Sequence, residues 1–370
     1  MLAALVAVAA GSLLSSGAAA SVSPRRSHAS SSPTNRRPAQ SEGSLTFGIY
    51  PGGIAGTIGP SGPARPEIDS LRLQSLEGLR DGHRRFVLHL YDSYENPSDA
   101  DAVPAWLASQ IAEYTAHGFQ IELVLTYRPD DPAGDVPGFV RYVRARVAQL
   151  GSNRAVTSFQ VMNEANVDAP GVSDGGYPGA EDALVQGVIA AKAAARRAGY
   201  TQLRIGFNWF YELGKAQDAF FSDLWKAGGK AFATAVDWVG VDAYPGTWGP
   251  ALPSGDLAAA VRSATLGAIR ACRLQLLPLA HLASVPLHFS ESGYPTGAGR
   301  TDRMQQTVML AAVGEIAASR RRYGITDYRW FDLRDGDSSS ASFEQHYGLM
   351  RDDYTPKPAY FTYRKLIIGM

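Results

Sequence analysis

Ser158-Phe-Gln-Val-Met-Asn-Glu-Ala-Asn166 is the stretch on which the reading of this chain turns. It is an apolar run that stops abruptly at an amide and a carboxylate, Asn163 and Glu164, and then passes into loop residues. Pro286-Leu-His-Phe-Ser-Glu-Ser-Gly-Tyr-Pro295 repeats the pattern with one carboxylate, Glu291. Such a run reads as a buried strand carrying a functional group at its C-terminal end, where barrel enzymes keep their chemistry. Side chains alternate along a strand, so Gln160, Met162 and Glu164 are expected on one face of the first run. Leu287, Phe289 and Glu291 are expected on one face of the second. The alternative for both glutamates is a solvated strand end. Two carboxylates on different strands are the minimum equipment for cleaving a glycosidic bond.

Outward from these two runs, β-type segments alternate with helical patterns along the chain. Strands are expected at 45–50, 86–91, 121–127, 156–162, 203–208, 236–242, 287–290 and 326–331. Helical spacing appears at 105–114, 139–147, 181–198, 257–282, 303–322 and 358–367. Gly199 supplies a stop after the third of these, and Tyr323-Gly324 after the fifth. Eight strands in alternation with helices predict an α/β protein, a (β/α)8 TIM barrel forming a single catalytic domain. A doubly wound open sheet is the competing architecture. The glycines of Tyr50-Pro-Gly-Gly-Ile-Ala-Gly56 lack the G-x-G-x-x-G spacing that such sheets often carry.

Composition narrows the function. Lys plus Arg and Asp plus Glu balance at 35 each, so no basic excess points to nucleic acid. With 45% hydrophobic and 19% charged residues the chain is globular. The single cysteine, Cys272, rules out an internal disulfide and a thiolate cluster, and reads as a small core side chain. The histidines form no H-x-H or H-E-x-x-H pair, so no zinc site is expected. No G-x-S-x-G elbow appears. Asp335-Gly-Asp337 lacks the full calcium-loop spacing and reads as a polar loop. No metal and no cofactor are expected, nor a stable protein partner; the expected protein is a monomer acting on carbohydrate.

The N-terminus reads as an export segment: residues 2–14 are apolar and Ala18-Ala19-Ala20 offers a small-residue cleavage site. No Lys or Arg precedes the apolar run, so an uncleaved membrane anchor is the alternative to secretion. Residues 1–20 are therefore expected to be a signal peptide and 21–43 a disordered Ser-, Pro- and Arg-rich linker. Residues 44–370 are expected to be the barrel.

The motifs resemble the 4/7 superfamily (clan A) of retaining glycoside hydrolases over roughly residues 45–368. Asn163-Glu164 after the fourth strand matches the acid/base and its preceding Asn, and Glu291 after the seventh matches the nucleophile. Tyr244, in Val241-Asp-Ala-Tyr-Pro245, matches a hydroxyl that commonly bonds the nucleophile. Trp330 matches a tryptophan that commonly floors the sugar site. The segment 347–360 resembles the family's last loop and helix. The resemblance implies that Glu164 protonates the leaving oxygen, that Glu291 attacks the anomeric carbon, and that Asn163 bonds the 2-hydroxyl. The family often places an arginine near the end of the second strand; here Arg84 and Arg85 precede that strand, and Arg128 is a candidate substitute. His89 reads as a barrel-wall histidine or as a support for Glu291.

Flat rings suit the C–H faces of pyranoses. Trp248, flanked by Gly and Pro, is the loop candidate for sugar contact, and Asn208 is a candidate hydroxyl ligand. The expected activity is an endo-acting β-glycanase. An exo-acting β-glycosidase and a catalytically silent barrel that binds polysaccharide are the alternatives.

Overall fold

Eight parallel strands close into a barrel in sequence order. They are β1 (Thr46–Ile49), β2 (Phe86–Tyr94), β3 (Gln120–Tyr127), β4 (Val156–Val161), β5 (Arg204–Phe210), β6 (Trp238–Asp242), β7 (Leu287–Glu291) and β8 (Ile325–Trp330). The computed structural model describes residues 44–53, 66–80, 85–211, 215–248 and 251–370. The expected signal peptide and linker lie outside the described residues, as does Arg84. Pairing of Phe47 with both Phe86 and Tyr328 joins β1 to its two neighbours and closes the ring.

The outer layer consists of α1 (Asp69–Arg80), α2 (Ala105–Ala116), α3 (Val136–Leu150), α4 (Ala180–Ala198), α5 (Lys215–Ala235), α6 (Leu257–Arg270), α7 (Asp302–Tyr323) and α8 (Pro358–Gly369). The helix α6 runs on through a π-helical turn, Ala271–Leu276, that buries Cys272. Burial pushes the Cys272 thiol up to about 12, so the group is inert. Helix ends follow from local chemistry. The carboxylate of Asp135 accepts from Gly138 N at the start of α3, and the Thr301 hydroxyl accepts from Met304 N at the start of α7. At Gly199 and Gly324 the chain turns into the left-handed region to stop α4 and α7. The open-sheet alternative is excluded by the closed ring. Among the described residues, no helix is long and apolar enough to cross a membrane.

Residues facing outward make the apolar layer. Tyr94 and Tyr127 pack on Phe139 of α3, and Phe207 and Trp209 on Phe221 of α5. The interior is unusually polar for this architecture. It holds His89, Glu122, Gln160, His288 and Arg329, all buried, with Trp238 stacked on His288 at 4.3 Å. Glycines make room for the largest of these. A Cβ on Gly48 would sit 2.5 Å from Cδ of Arg329, and one on Gly206 would sit 2.3 Å from the Trp238 ring. Large and small side chains thus interlock across neighbouring strands.

Strand β7 departs from simple alternation. The pairing steps from Gly240 opposite His288 to Asp242 opposite Glu291, so three residues of β7 face two of β6. Such a bulge re-aims side chains. His288 and Ser290 point inward, toward Glu122 and Asp242 respectively, while Phe289 lies level with Tyr328 in the core. The expectation that Leu287 and Phe289 share the face of Glu291 is therefore corrected: the bulge brings Glu291 to the mouth.

Candidate active site

Three buried carboxyl groups meet at the C-terminal mouth of the barrel: Glu164 after β4, Asp242 at the end of β6 and Glu291 at the end of β7. One oxygen from each lies within 4.8 Å of the others. Glu164 and Met162 both take positive φ, 48° and 66°, a conformation that costs side-chain-bearing residues energy and turns the chain sharply at the strand end. The turn is pinned by Asp174, a fully buried carboxylate in the following loop. It accepts from Asn163 N at 2.8 Å and from Tyr127 N at 2.9 Å.

Asn208, at the end of β5, is committed to holding this corner. Its Oδ1 accepts from Glu164 N at 2.8 Å, and its Nδ2 donates to Asn163 Oδ1 at 3.0 Å and to Asp242 Oδ2. Both amide protons are consumed by protein acceptors. The structure thus assigns Asn208 to positioning and leaves no donor for a sugar hydroxyl. Asn163, by contrast, has no partner for its Nδ2 among the described residues, and its orientation is set by Asn208.

Glu291 is gripped by two phenols. Tyr244 donates to Oε2 at 2.6 Å and Tyr91 donates to Oε1. Burial, reinforced by the Glu291 charge, holds both phenols well above the ordinary tyrosine range, so they remain donors. Burial also pushes the Glu164 carboxyl well above its usual range, with the charges of Glu291 and then Asp174 adding to the effect. Asp242 is raised for the same two leading reasons, burial and Glu291, and accepts from Ser290 Oγ at 2.6 Å as well as from Asn208. The site therefore sets two carboxyl groups that resist ionisation beside one that accepts from two phenols. All four oxygens of Glu291 and Asp242 already accept from protein donors, so the trio is fitted to protons and a substrate more than to a cation. In the loop after β8, Asp335 is buried and accepts from the buried Lys357 Nζ at 2.5 Å.

Not every expected residue reaches the mouth. Trp330 is only 1% exposed. It packs on Tyr363 of α8 and donates from Nε1 to Tyr347 O at 3.3 Å, on the outer side of β8. Its inward-facing neighbour Arg329 explains this, because adjacent residues of a strand face opposite ways. Phe331, one residue on, is the ring at the mouth. It stacks on Tyr50 at 5.4 Å and stands edge-on to Tyr244 and Tyr347. Trp248 is 41% exposed and meets Phe343 at 5.4 Å. Phe343 meets Tyr347 and Tyr347 meets Tyr244, so a row of rings runs from Glu291 to the exposed indole. Arg128 pairs with Asp174 at 3.4 Å, not with Glu291.

Asp242, Tyr91 in its contact with Glu291, Ser290 and Phe331 were not singled out from sequence. For Asp242 a signal existed: it precedes Tyr244 by two residues and so shares its face.

No protein-family model and no curated protein matches the chain. Solved structures do. The β-D-glucuronidase of Dictyoglomus thermophilum superposes with a TM-score of 0.55 at 13% identity, over 88% of this chain and 50% of its own. A family 39 glycoside hydrolase from the gut symbiont Bacteroides cellulosilyticus gives 0.55 at 15%, over 88% of this chain and 64% of its own. A β-glycosidase gives 0.51 at 15%, over 84% and 88% respectively. The chain spans about half to two-thirds of the length of the first two. At these identities the shared property is the fold, the (β/α)8 barrel common to these glycoside hydrolases.

Proposed function

We propose that the chain is a retaining glycoside hydrolase, with Glu164 as acid/base and Glu291 as nucleophile. The observation that carries the proposal is the pair itself. Two buried glutamates project from β4 and β7 with oxygens within 4.8 Å, one kept protonated and the other gripped as an acceptor by two phenols. Retaining enzymes hold their carboxyl groups about 5–5.5 Å apart, whereas inverting enzymes need roughly 6.5–9.5 Å to admit a water.

In the first step Glu164 gives its proton to the leaving oxygen as Glu291 attacks the anomeric carbon and forms a glycosyl ester. Esterification removes the negative charge that helped to raise Glu164. The now ionised Glu164 then takes a proton from water, which attacks the anomeric carbon, breaks its bond to the Glu291 oxygen and frees the carboxylate. Asn163 Nδ2, unclaimed by the protein, donates to the 2-hydroxyl.

For the substrate we favour a β-linked polysaccharide cut internally, because the exposed Trp248 and the half-buried Phe343 beside it offer ring faces for a further sugar unit, at the end of the ring row that leads from Glu291. An exo-acting β-glycosidase is the second reading. It is favoured by the β-glucuronidases among the structural neighbours, one of them complexed with coumarin-3-O-glucuronide. Export belongs to the proposal on the strength of the N-terminal apolar run. The test is reducing-sugar release by the full chain from β-glucans, xylans, mannans, galactans and aryl β-glycosides, run beside Glu291→Gln. Cleavage that disappears in the variant supports the assignment. Equal cleavage by the variant sinks the nucleophile, and glycan binding without turnover at any pH supports the silent barrel.

A further inference from the structure

We propose that His89 is held as an imidazolium and acts, through Tyr91, as the cationic positioning residue for Glu291. The proposal rests on hydrogen-bond polarity along an unbroken chain in the barrel interior. His89 Nδ1 lies 3.0 Å from Glu122 Oε1, and His89 Nε2 lies 3.2 Å from the Tyr91 hydroxyl, which donates to Glu291 Oε1. Every residue of the chain is on β2, β3 or β7, so the rigid sheet fixes the spacing.

The protons can be counted. An ionised carboxylate only accepts, so Nδ1 facing Glu122 must carry a hydrogen. Tyr91 has one proton, and the Glu291 carboxylate takes it. The phenol oxygen is then left with lone pairs toward His89, so Nε2 must carry a hydrogen too. A neutral ring would set a bare nitrogen against a bare oxygen. Both nitrogens protonated makes a cation, whose Nε2 lies 3.8 Å from Glu291 Oε1.

The charges around His89 fit this state. On β3, Glu122 is buried, which would raise it, yet Arg329, then the nearby His288 ring and the hydrogen bond from His89, hold it well below the usual carboxylate range. On β8, Asp327 is likewise held low against its burial by His288 and Arg329. Arg329 lies 3.5 Å from Glu122 and 2.9 Å from Asp327; His288 of β7 lies 3.8 Å from Glu122 and 3.2 Å from Asp327. Arg329 and His288 thus face Glu122 and Asp327, whereas the basic group that faces Glu291 among the described residues is His89, 3.8 Å away. Residues 91–96, at the end of β2, include no arginine; an imidazolium acting through a phenol supplies the positive field at Glu291 instead.

The experiment labels histidine with 15N in the full chain and reads the protonation of each ring nitrogen through one- and two-bond correlations, with His89→Gln identifying the signals. The expected spectrum has both His89 nitrogens protonated through neutral pH. In Glu291→Gln the charge is gone, and His89 should drop to one proton in the same range. A wild-type His89 carrying a proton on Nδ1 alone at neutral pH overturns the proposal. This arm needs no turnover, so it stands even if the glycosidase reading fails. A second arm rests on that reading. His89→Gln keeps a neutral donor toward Tyr91 but removes the charge, and the acidic limb of kcat/KM should move up by about one pH unit or more. An unmoved limb would mean that His89 only fills space.

Discussion

Replacing Trp330 by alanine separates two places for its ring that differ by a single residue of register. In the structure the indole is 1% exposed between β8 and α8, with Tyr363 at 6.4 Å. Deleting a fully buried tryptophan leaves a cavity and costs about 3–5 kcal/mol. The bond from Nε1 to Tyr347 O is also lost, but that carbonyl keeps a donor in Gln305 Nε2 at 3.3 Å, so no large penalty for an orphaned acceptor is added. A loss of about 4 kcal/mol is a large part of the roughly 5–15 kcal/mol available to a domain. Urea denaturation should show the full loss, while KM for the cleaved glycan, measured well below the transition, should stay within about twofold, because no substrate contact is removed. Phe331→Ala should move KM instead. Its half-buried ring touches Tyr50, Tyr244 and Tyr347, so some stability is lost as well, but KM should rise on the order of tenfold, the equivalent of about 1.4 kcal/mol of ring contact. An unchanged urea midpoint in Trp330→Ala together with a large rise in KM would refute the placement.

Two further predictions concern the loop after β4. Glu164→Ala should lose activity on substrates with poor leaving groups, and azide should partly restore cleavage of activated aryl glycosides by attacking the glycosyl ester; undiminished cleavage of poor substrates would count against the acid/base role. Burial raises Asp174 from 3.8 to about 6 in the folded state, so its contribution to stability is fully present below about pH 4 and lost as pH rises through about 6. Between those limits the wild type should lose about 2–3 kcal/mol relative to Asp174→Asn, read from denaturant midpoints across the range. A wild type that gains on the variant as pH rises would contradict the sign.

The barrel was legible because each strand is a short apolar run with a loop signal behind it, and helical periodicity fills the gaps. Two helices escaped that reading. In α1, Arg72 and Ser75 are buried among the leucines, which blurs the apolar stripe. In α5, Gly229 takes φ 49° and breaks the helix where the sequence has Gly228-Gly229. The carboxylates at 164 and 291 were visible at their strand ends, but the way Glu291 reaches the mouth was not, since a one-residue bulge leaves no mark in hydrophobic periodicity. Trp330 shows the opposite failure: parity from Arg329 would have turned it outward, and the resemblance overrode it. Asn208 was found as a site residue but given a sugar to bind. Only its three partners, each distant in sequence, reveal that its donors are spent.

The most direct test of the account follows the anomer released first from a β-linked substrate by proton NMR. With an oxygen of Glu164 and one of Glu291 within 4.8 Å of each other, double displacement should release the β-anomer first, with the α-anomer appearing only by mutarotation. An α-anomer released first would mean single displacement and would contradict Glu291 as nucleophile.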